Sequence, residues 1–226
     1  MKITGIIIGK QNTNEYDQLI SFYSPDIGKG TGIAKSILKH SSIQAMHLDL
    51  YNHSEFELVE GKGWPIITGA QAIDARPCIK SNLGALAVAS FFAEAINKIV
   101  FDNEKDLLLW NFISGVFNEL EDITPLAGTL EMRGFLRAKQ MEFLHILGYS
   151  PNFDECGFCG RSISAAAMAY NLEINGAVCK DCFLSGRRGI IMKEQDFLSG
   201  QVLDAIFSSL VNGQVYASKF TSSVLK

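Results

Sequence analysis

Two Cys-x-x-Cys pairs, Cys156-Gly-Phe-Cys159 and Cys179-Lys-Asp-Cys182, stand nineteen residues apart in this chain of 226. No other feature of the sequence restricts the fold so sharply. Each pair puts two thiolates on one tight turn, and a hairpin-sized segment between the pairs folds back to bring the four sulfurs together, as a tetrahedral Zn2+ ion requires. Gly157 and Gly160 suit the tight backbone of the first pair, and Asn175-Gly176 offers a turn leading into the second. Four protein sulfurs fill the coordination shell and leave no position for an activated water, so the expected zinc, held by Cys156, Cys159, Cys179 and Cys182, is structural. Four buried thiols or a redox pair are the competing readings. The fifth cysteine, Cys78, stands alone and reads as a small apolar filler.

A disulfide framework is not expected, because nothing in the chain directs export. The opening Met-Lys-Ile-Thr-Gly-Ile-Ile-Ile-Gly-Lys run is too short for a signal peptide and lacks a cleavage-like site. The longest apolar stretch, Leu83 to Ile96, is broken by Ser90 and Glu94 and falls short of the roughly 20 residues a membrane span needs. A cytoplasmic protein with no membrane partner is therefore expected. Hydrophobic residues make up 47% and charged residues 19%, a composition that folds. The net charge of −4 excludes a surface that is basic throughout, so any contact with nucleic acid has to be local.

Up to about residue 79 the pattern is β. Ile3 to Gly9, Gln18 to Tyr23, Gly32 to Leu38, Met46 to Tyr51 and Phe56 to Val59 are short runs rich in Ile, Leu, Phe and Tyr, separated by turn residues. So many short strands in so few residues have to cover their edges, and a small closed barrel does so. From residue 80 the period becomes helical. Leu83, Leu86, Ala87, Phe91, Ala95 and Ile99 predict a helix capped by Ser81 or Asn82. Further helices are expected from about Glu104 to Leu120, Thr129 to Leu147 (stopped by Gly148 and Pro151) and Glu194 to Val211. The reading is an α+β multidomain chain: an N-terminal OB-fold barrel over residues 1–79, then an α-helical domain over 80–226 with a zinc-ribbon-like insert at 152–186.

Catalytic motifs fail on inspection. His53-Ser54-Glu55 echoes the H-x-E of zinc deaminases, but Glu155 and Val178 stand where a proline should precede each cysteine pair. Gly30-Thr-Gly-Ile-Ala-Lys35-Ser36 echoes a phosphate-binding P-loop, yet Ala34 and Lys29 occupy its two obligatory glycine positions. No enzyme is expected, since no segment offers a nucleophile, base and orienting acid together.

Between Asp26 and Asp49 there is no acidic residue, while Lys29, Lys35, Lys39 and His40 all fall there. Three lysines among glycines and serines can pair with backbone phosphates, and these are the candidate nucleic-acid contacts. Lysines also keep strand edges soluble, and spacing alone does not decide between the two. Arg133, Arg137 and Lys139, and then Arg187, Arg188 and Lys193, form further basic clusters that read more simply as solvated charges. Tyr23, Tyr51 and Trp64 could stack bases, although aromatics in so small a barrel usually belong to its core.

Taken in order, these pieces resemble the RecO family. The resemblance rests on the opening Ile-Thr-Gly-Ile-Ile-Ile strand, the Gly28-Lys-Gly-Thr-Gly-Ile-Ala-Lys-Ser36 segment and the Leu147-Gly-Tyr-Ser-Pro151 helix end. The two cysteine pairs follow, the second within Asn175-Gly-Ala-Val-Cys179-Lys-Asp-Cys182. It implies an OB barrel joined to a helical domain with a zinc insert, and Lys29, Lys35 and Lys39 lie in the segment resembling the family's basic barrel region. It also implies a DNA repair and recombination mediator that binds single- and double-stranded DNA and anneals complementary strands. Such a protein acts with RecR to help RecA displace the single-strand-binding protein at gaps, in the cytoplasm at the nucleoid. The competing expectation is a zinc-ribbon adaptor that holds a protein partner and has little DNA affinity of its own.

Overall fold

The structure is a computed structural model, in which residues 1–61, 63–163, 167–191 and 200–212 are described. The chain divides into two compact units, Met1–Met132 and Arg133–Lys226.

In the first unit, β1 (Lys2–Asn12), β2 (Gln18–Ser24), β3 (Gly28–Ala34), β4 (His53–Val59) and β5 (Ile66–Asp74) close into an OB-like barrel in the order β1-β2-β3-β5-β4. Neighbouring strands are antiparallel except β3 and β5, which run parallel through Ile33↔Ile66 and Ala34↔Ile67. Alternate residues point inward, so Ile3, Ile7, Ile20, Phe22, Phe56, Leu58 and Ile67 fill the barrel. The rings of Phe22 and Phe56 meet edge to face at 4.7 Å.

Two strand expectations shift, and one strand forms that was not expected. The Gly32 to Leu38 run does not stay extended, because Ser36 adopts φ 57° and gives its N–H to the Asp17 carboxylate at 2.6 Å; the strand is β3, which ends at Ala34. Met46 to Tyr51 is not a strand either. Gln44–His47 forms the single helical turn α1, and the Asn52 side-chain amide donates to the carbonyls of Met46 at 2.9 Å and His47 at 3.2 Å, holding the segment folded. Leu48, which follows that turn, is buried. Strand β5, interrupted by Gly69 and two alanines, has a weak pattern and is specified by its two pairing partners.

Three helices complete this unit: α2 (Pro77–Ser81), α3 (Leu83–Ile99) and α4 (Leu107–Ile123). Asn82 caps α3, its side-chain carbonyl accepting from Ala85 N–H at 3.0 Å. Asp106 caps α4 through the N–H groups of Leu108 and Leu109, so this helix begins later than the Glu104 its periodicity suggested. Side-chain hydrogen bonds tie these helices to the barrel. Asn97 of α3 donates to the Ile8 carbonyl at 2.8 Å, and the Tyr51 hydroxyl meets that of Ser90 at 2.8 Å. The Glu121 carboxylate of α4 accepts from Cys78 and Ile79 N–H, both at 2.9 Å, and so caps α2. Sequence periodicity changes at 79/80, whereas the compact unit runs on to Met132 because α3 and α4 are fastened to the strands in this way.

Helix α5 (Thr129–Ile146) carries the chain into the second unit. It ends where Gly148 takes φ 73° and Tyr149 N–H returns to the Leu144 carbonyl at 2.8 Å. There follow β6 (Ala167–Asn171), β7 (Gly176–Cys179), α6 (Lys180–Leu184) and β8 (Ile190–Ile191), with the strands ordered β7-β6-β8. The last helix among the described residues, α7 (Gly200–Val211), buries Val202, Leu203, Ile206, Phe207 and Leu210, and the Phe207 ring stacks on Phe143 of α5 at 6.0 Å. The expected start of that helix at Glu194 lies outside the described residues, as does Lys193. No described helix is long and apolar enough to cross a membrane.

Candidate metal centre and nucleic-acid interface

The four predicted cysteines converge. The Sγ atoms of Cys156, Cys159, Cys179 and Cys182 all lie within 4.8 Å of one another, with Cys159 and Cys179 at 3.8 Å. Sulfurs 2.3 Å from a tetrahedral zinc would stand about 3.8 Å apart, and a disulfide would bring them to about 2.05 Å, so the cluster has the dimensions of a metal site. Hydrogen bonds hold the first knuckle: Gly160 N–H reaches the Cys156 carbonyl at 2.8 Å with φ 68°, and Gly157 N–H reaches the Ala177 carbonyl at 3.0 Å. A Cβ at position 157 would come within 2.4 Å of Ile174 Cδ1, so a larger residue there requires the Ile174 side chain to shift. Strand β7 delivers Cys179, and the first turn of α6 delivers Cys182.

The electrostatics suit a cation. Burial acts to raise the Cys156 thiol, but N–H donors from Cys179, Phe158 and Cys159 outweigh it and hold the group down at about 6. Burial, reinforced by the neighbouring sulfurs, pushes Cys182 up to about 12. One sulfur is thus poised as a thiolate and another resists ionising beside it; a divalent ion at the centre removes that conflict by replacing the protons. At the rim Arg161 and Asp181 pair at 2.8 Å, and the Arg187 guanidinium lies over the Phe158 ring at 4.9 Å. The fifth cysteine, Cys78, is only partly buried at the start of α2, its thiol raised chiefly by a hydrogen bond to Glu121.

The three candidate lysines are not equivalent. Lys29 is turned inward and only 12% exposed, its ammonium donating to the Asn97 carbonyl at 2.9 Å and pairing with Asp102 at 3.1 Å. Lys35 and Lys39 are exposed, in the turn that follows β3. That turn is fastened to the β1–β2 loop. Asp17 accepts from Ser36 N–H and from the Asn14 amide, Leu38 N–H reaches the Tyr16 carbonyl at 3.0 Å, and the Lys39 ammonium lies 5.3 Å from the Tyr16 ring centroid. The Ser36 and Asn14 hydrogen bonds, with the nearby lysines, hold the Asp17 carboxyl below the usual range. Sequence reading passed over Tyr16 and Asp17; the only local signal was the turn-forming Asn14.

Of the aromatics weighed for stacking, Tyr23 and Tyr51 belong to the core. The Tyr23 hydroxyl, pushed up to about 12 by burial, donates to the Asp106 carbonyl, and the Tyr51 ring stacks on Phe117. Trp64 is 52% exposed. On α5 the half-buried Arg137 is paired with Asp204 at 3.0 Å and the half-buried Lys139 with Glu142 at 3.1 Å.

Comparison with known proteins agrees with this architecture. Residues 1–76 match the family described as recombination protein O, N terminal, and residues 80–209 match recombination protein O, C terminal. The chain is 29% identical over 181 residues to the DNA repair protein RecO of Dehalococcoides mccartyi strain 195, covering 80% of this chain and 69% of that one. It is 26% identical to the DNA repair protein RecO of Roseiflexus sp. strain RS-1, covering 78% and 60%. To that of Caldanaerobacter subterraneus it is 23% identical, covering 90% and 77%. The two family models together span the barrel, the helices after it and the four-cysteine cluster, and the chain belongs to the RecO family of DNA repair proteins.

Proposed function

We propose that this chain is a non-enzymatic recombination mediator that binds DNA through the rim of its barrel and anneals complementary single strands. It acts in the cytoplasm, with RecR, to help RecA replace the single-strand-binding protein at gaps. The observation that carries the reading is the exposed pair Lys35 and Lys39, held on a turn locked to the neighbouring loop by Asp17. Two exposed cations on a barrel rim suit a phosphate backbone, and their small number fits a chain of net charge −4 whose contacts with DNA are local. Lys29 supports the same surface from beneath by pinning α3 and the Asp102 segment to β3.

In the cysteine cluster we assign Zn2+ held by Cys156, Cys159, Cys179 and Cys182. Zinc supplies cross-linking there, since a closed shell of four sulfurs leaves no position for substrate. The residues around it set the geometry of the sulfurs, and Arg161 offsets part of their charge.

A salt titration tests the DNA reading. Log affinity for single-stranded DNA should fall linearly with log salt, and Lys35→Glu with Lys39→Glu should weaken binding and flatten the slope. Absence of binding even in dilute buffer would replace this reading with that of a zinc-ribbon adaptor for a protein partner.

A further inference from the structure

The four cysteines of the cluster differ in exposure. Cys156 is buried, Cys179 and Cys182 are partly covered, and Cys159 is open to solvent. A small oxidant such as hydrogen peroxide therefore meets Cys159 first.

A second sulfur is already at hand. Cys159 Sγ lies 3.8 Å from Cys179 Sγ, and closing that gap to a disulfide takes about 2 Å of movement. The two chain segments that carry these sulfurs are joined on both sides of the contact. Arg161, two residues beyond Cys159, pairs at 2.8 Å with Asp181, two residues beyond Cys179. On the other side, Gly157 N–H reaches the Ala177 carbonyl at 3.0 Å, and Cys179 N–H reaches Cys156 Sγ at 3.4 Å. Cys156 is the poorer partner for Cys159, because its sulfur is buried and accepts that N–H. Two thiols fastened side by side join faster than two that must find each other.

We propose that Cys159 and Cys179 are a peroxide-sensitive modification site, joining in a disulfide that reaches across the two knuckles and expels the metal; this rests on the zinc assignment above. The Cys159 thiolate attacks one oxygen of hydrogen peroxide, the O–O bond breaks, and a sulfenic acid forms as hydroxide leaves. The Cys179 thiolate then attacks Cys159 Sγ, the S–O bond breaks, and a second hydroxide leaves. The two sulfurs give up two electrons, the peroxide takes both, and the two hydroxides gain protons to become water. Cys156 and Cys182 alone do not fill a zinc shell, so the ion departs. Because the bond joins positions 20 apart, it keeps the ribbon closed once the ion has gone.

The test treats the full wild-type chain with increasing hydrogen peroxide, reads released zinc with a chromogenic chelator and maps disulfides by mass spectrometry of proteolytic peptides. One zinc should be released for each Cys159–Cys179 disulfide formed, and a thiol reductant with added zinc should reverse both. Disulfides confined to Cys156–Cys159 and Cys179–Cys182, a bond to Cys78, or oxidation to sulfinic acid without a disulfide overturns the site. So does zinc that stays bound after the Cys159–Cys179 bond has formed. Untreated protein without zinc overturns the metal assignment; in that protein a Cys159–Cys179 disulfide still supports the modification site, and its absence overturns the site as well.

Discussion

The guanidinium of Arg76 donates to the side-chain carbonyl of Asn118 at 2.9 Å, and so joins the end of β5 to the middle of α4. Arg76 is fully buried; its second nitrogen reaches the Tyr51 carbonyl at 3.1 Å, Asp74 lies 3.5 Å from its Nε, and its guanidinium carbon lies 5.1 Å from the Phe117 ring centroid. Replacing it strands the buried Tyr51 carbonyl and cuts the link to Asn118 on α4. Arg76→Met is expected to destabilise the first unit by about 3 kcal/mol, and Arg76→Lys should fail to restore the loss because an ammonium cannot span the two acceptors. Denaturant midpoints would show this, and a lysine variant as stable as wild type would contradict it.

His53 gives the barrel a pH dependence. Burial, and then the nearby Arg76, lowers its pKa below the ordinary histidine value, against the pull of Asp74; its ring meets Trp110 at 5.7 Å. The folded protein thus binds the imidazole proton less readily than the unfolded chain does. As pH falls below about 6.5 the unfolded state gains protons first, and stability is lost until the folded-state pKa is passed. Urea midpoints should therefore fall between about pH 7.5 and pH 5.5. The fall should be smaller in His53→Leu, and identical slopes in the two proteins would exclude His53 as a cause.

Gly28 sits where β3 begins with φ 74°, and a Cβ there would lie 2.1 Å from the Glu104 carbonyl oxygen. The obstacle is backbone and cannot swing aside. Gly28→Ala should cost at least about 2 kcal/mol, from the left-handed backbone and the collision together. Thermal melting of the two proteins decides it.

Metal removal should act on the second unit. Purified protein is expected to carry one zinc per four-cysteine cluster. Chelation or Cys179→Ala should each lower its thermal transition strongly, because the ion's binding energy is coupled to folding. Unchanged melting in both would remove the structural role.

The four-cysteine cluster and the start of α3 were legible in the chain itself, because their determinants are local. Two thiols three residues apart share a turn wherever they fold, and Asn82 and Asp106 cap helices that begin beside them. The barrel was legible as a class, from short apolar runs and turns, but its closing strand β5 was not, since its small residues become a strand only through β3 and β4. Lys29, Lys35 and Lys39 look alike along the sequence. Folding brings Asn97 and Asp102, 68 and 73 positions away, against the first and leaves the other two in water. Short-range patterns settle which elements form and which side chains can ligate, whereas the company each charge or ring keeps is decided by chain closure over tens of residues, which only the tertiary structure supplies.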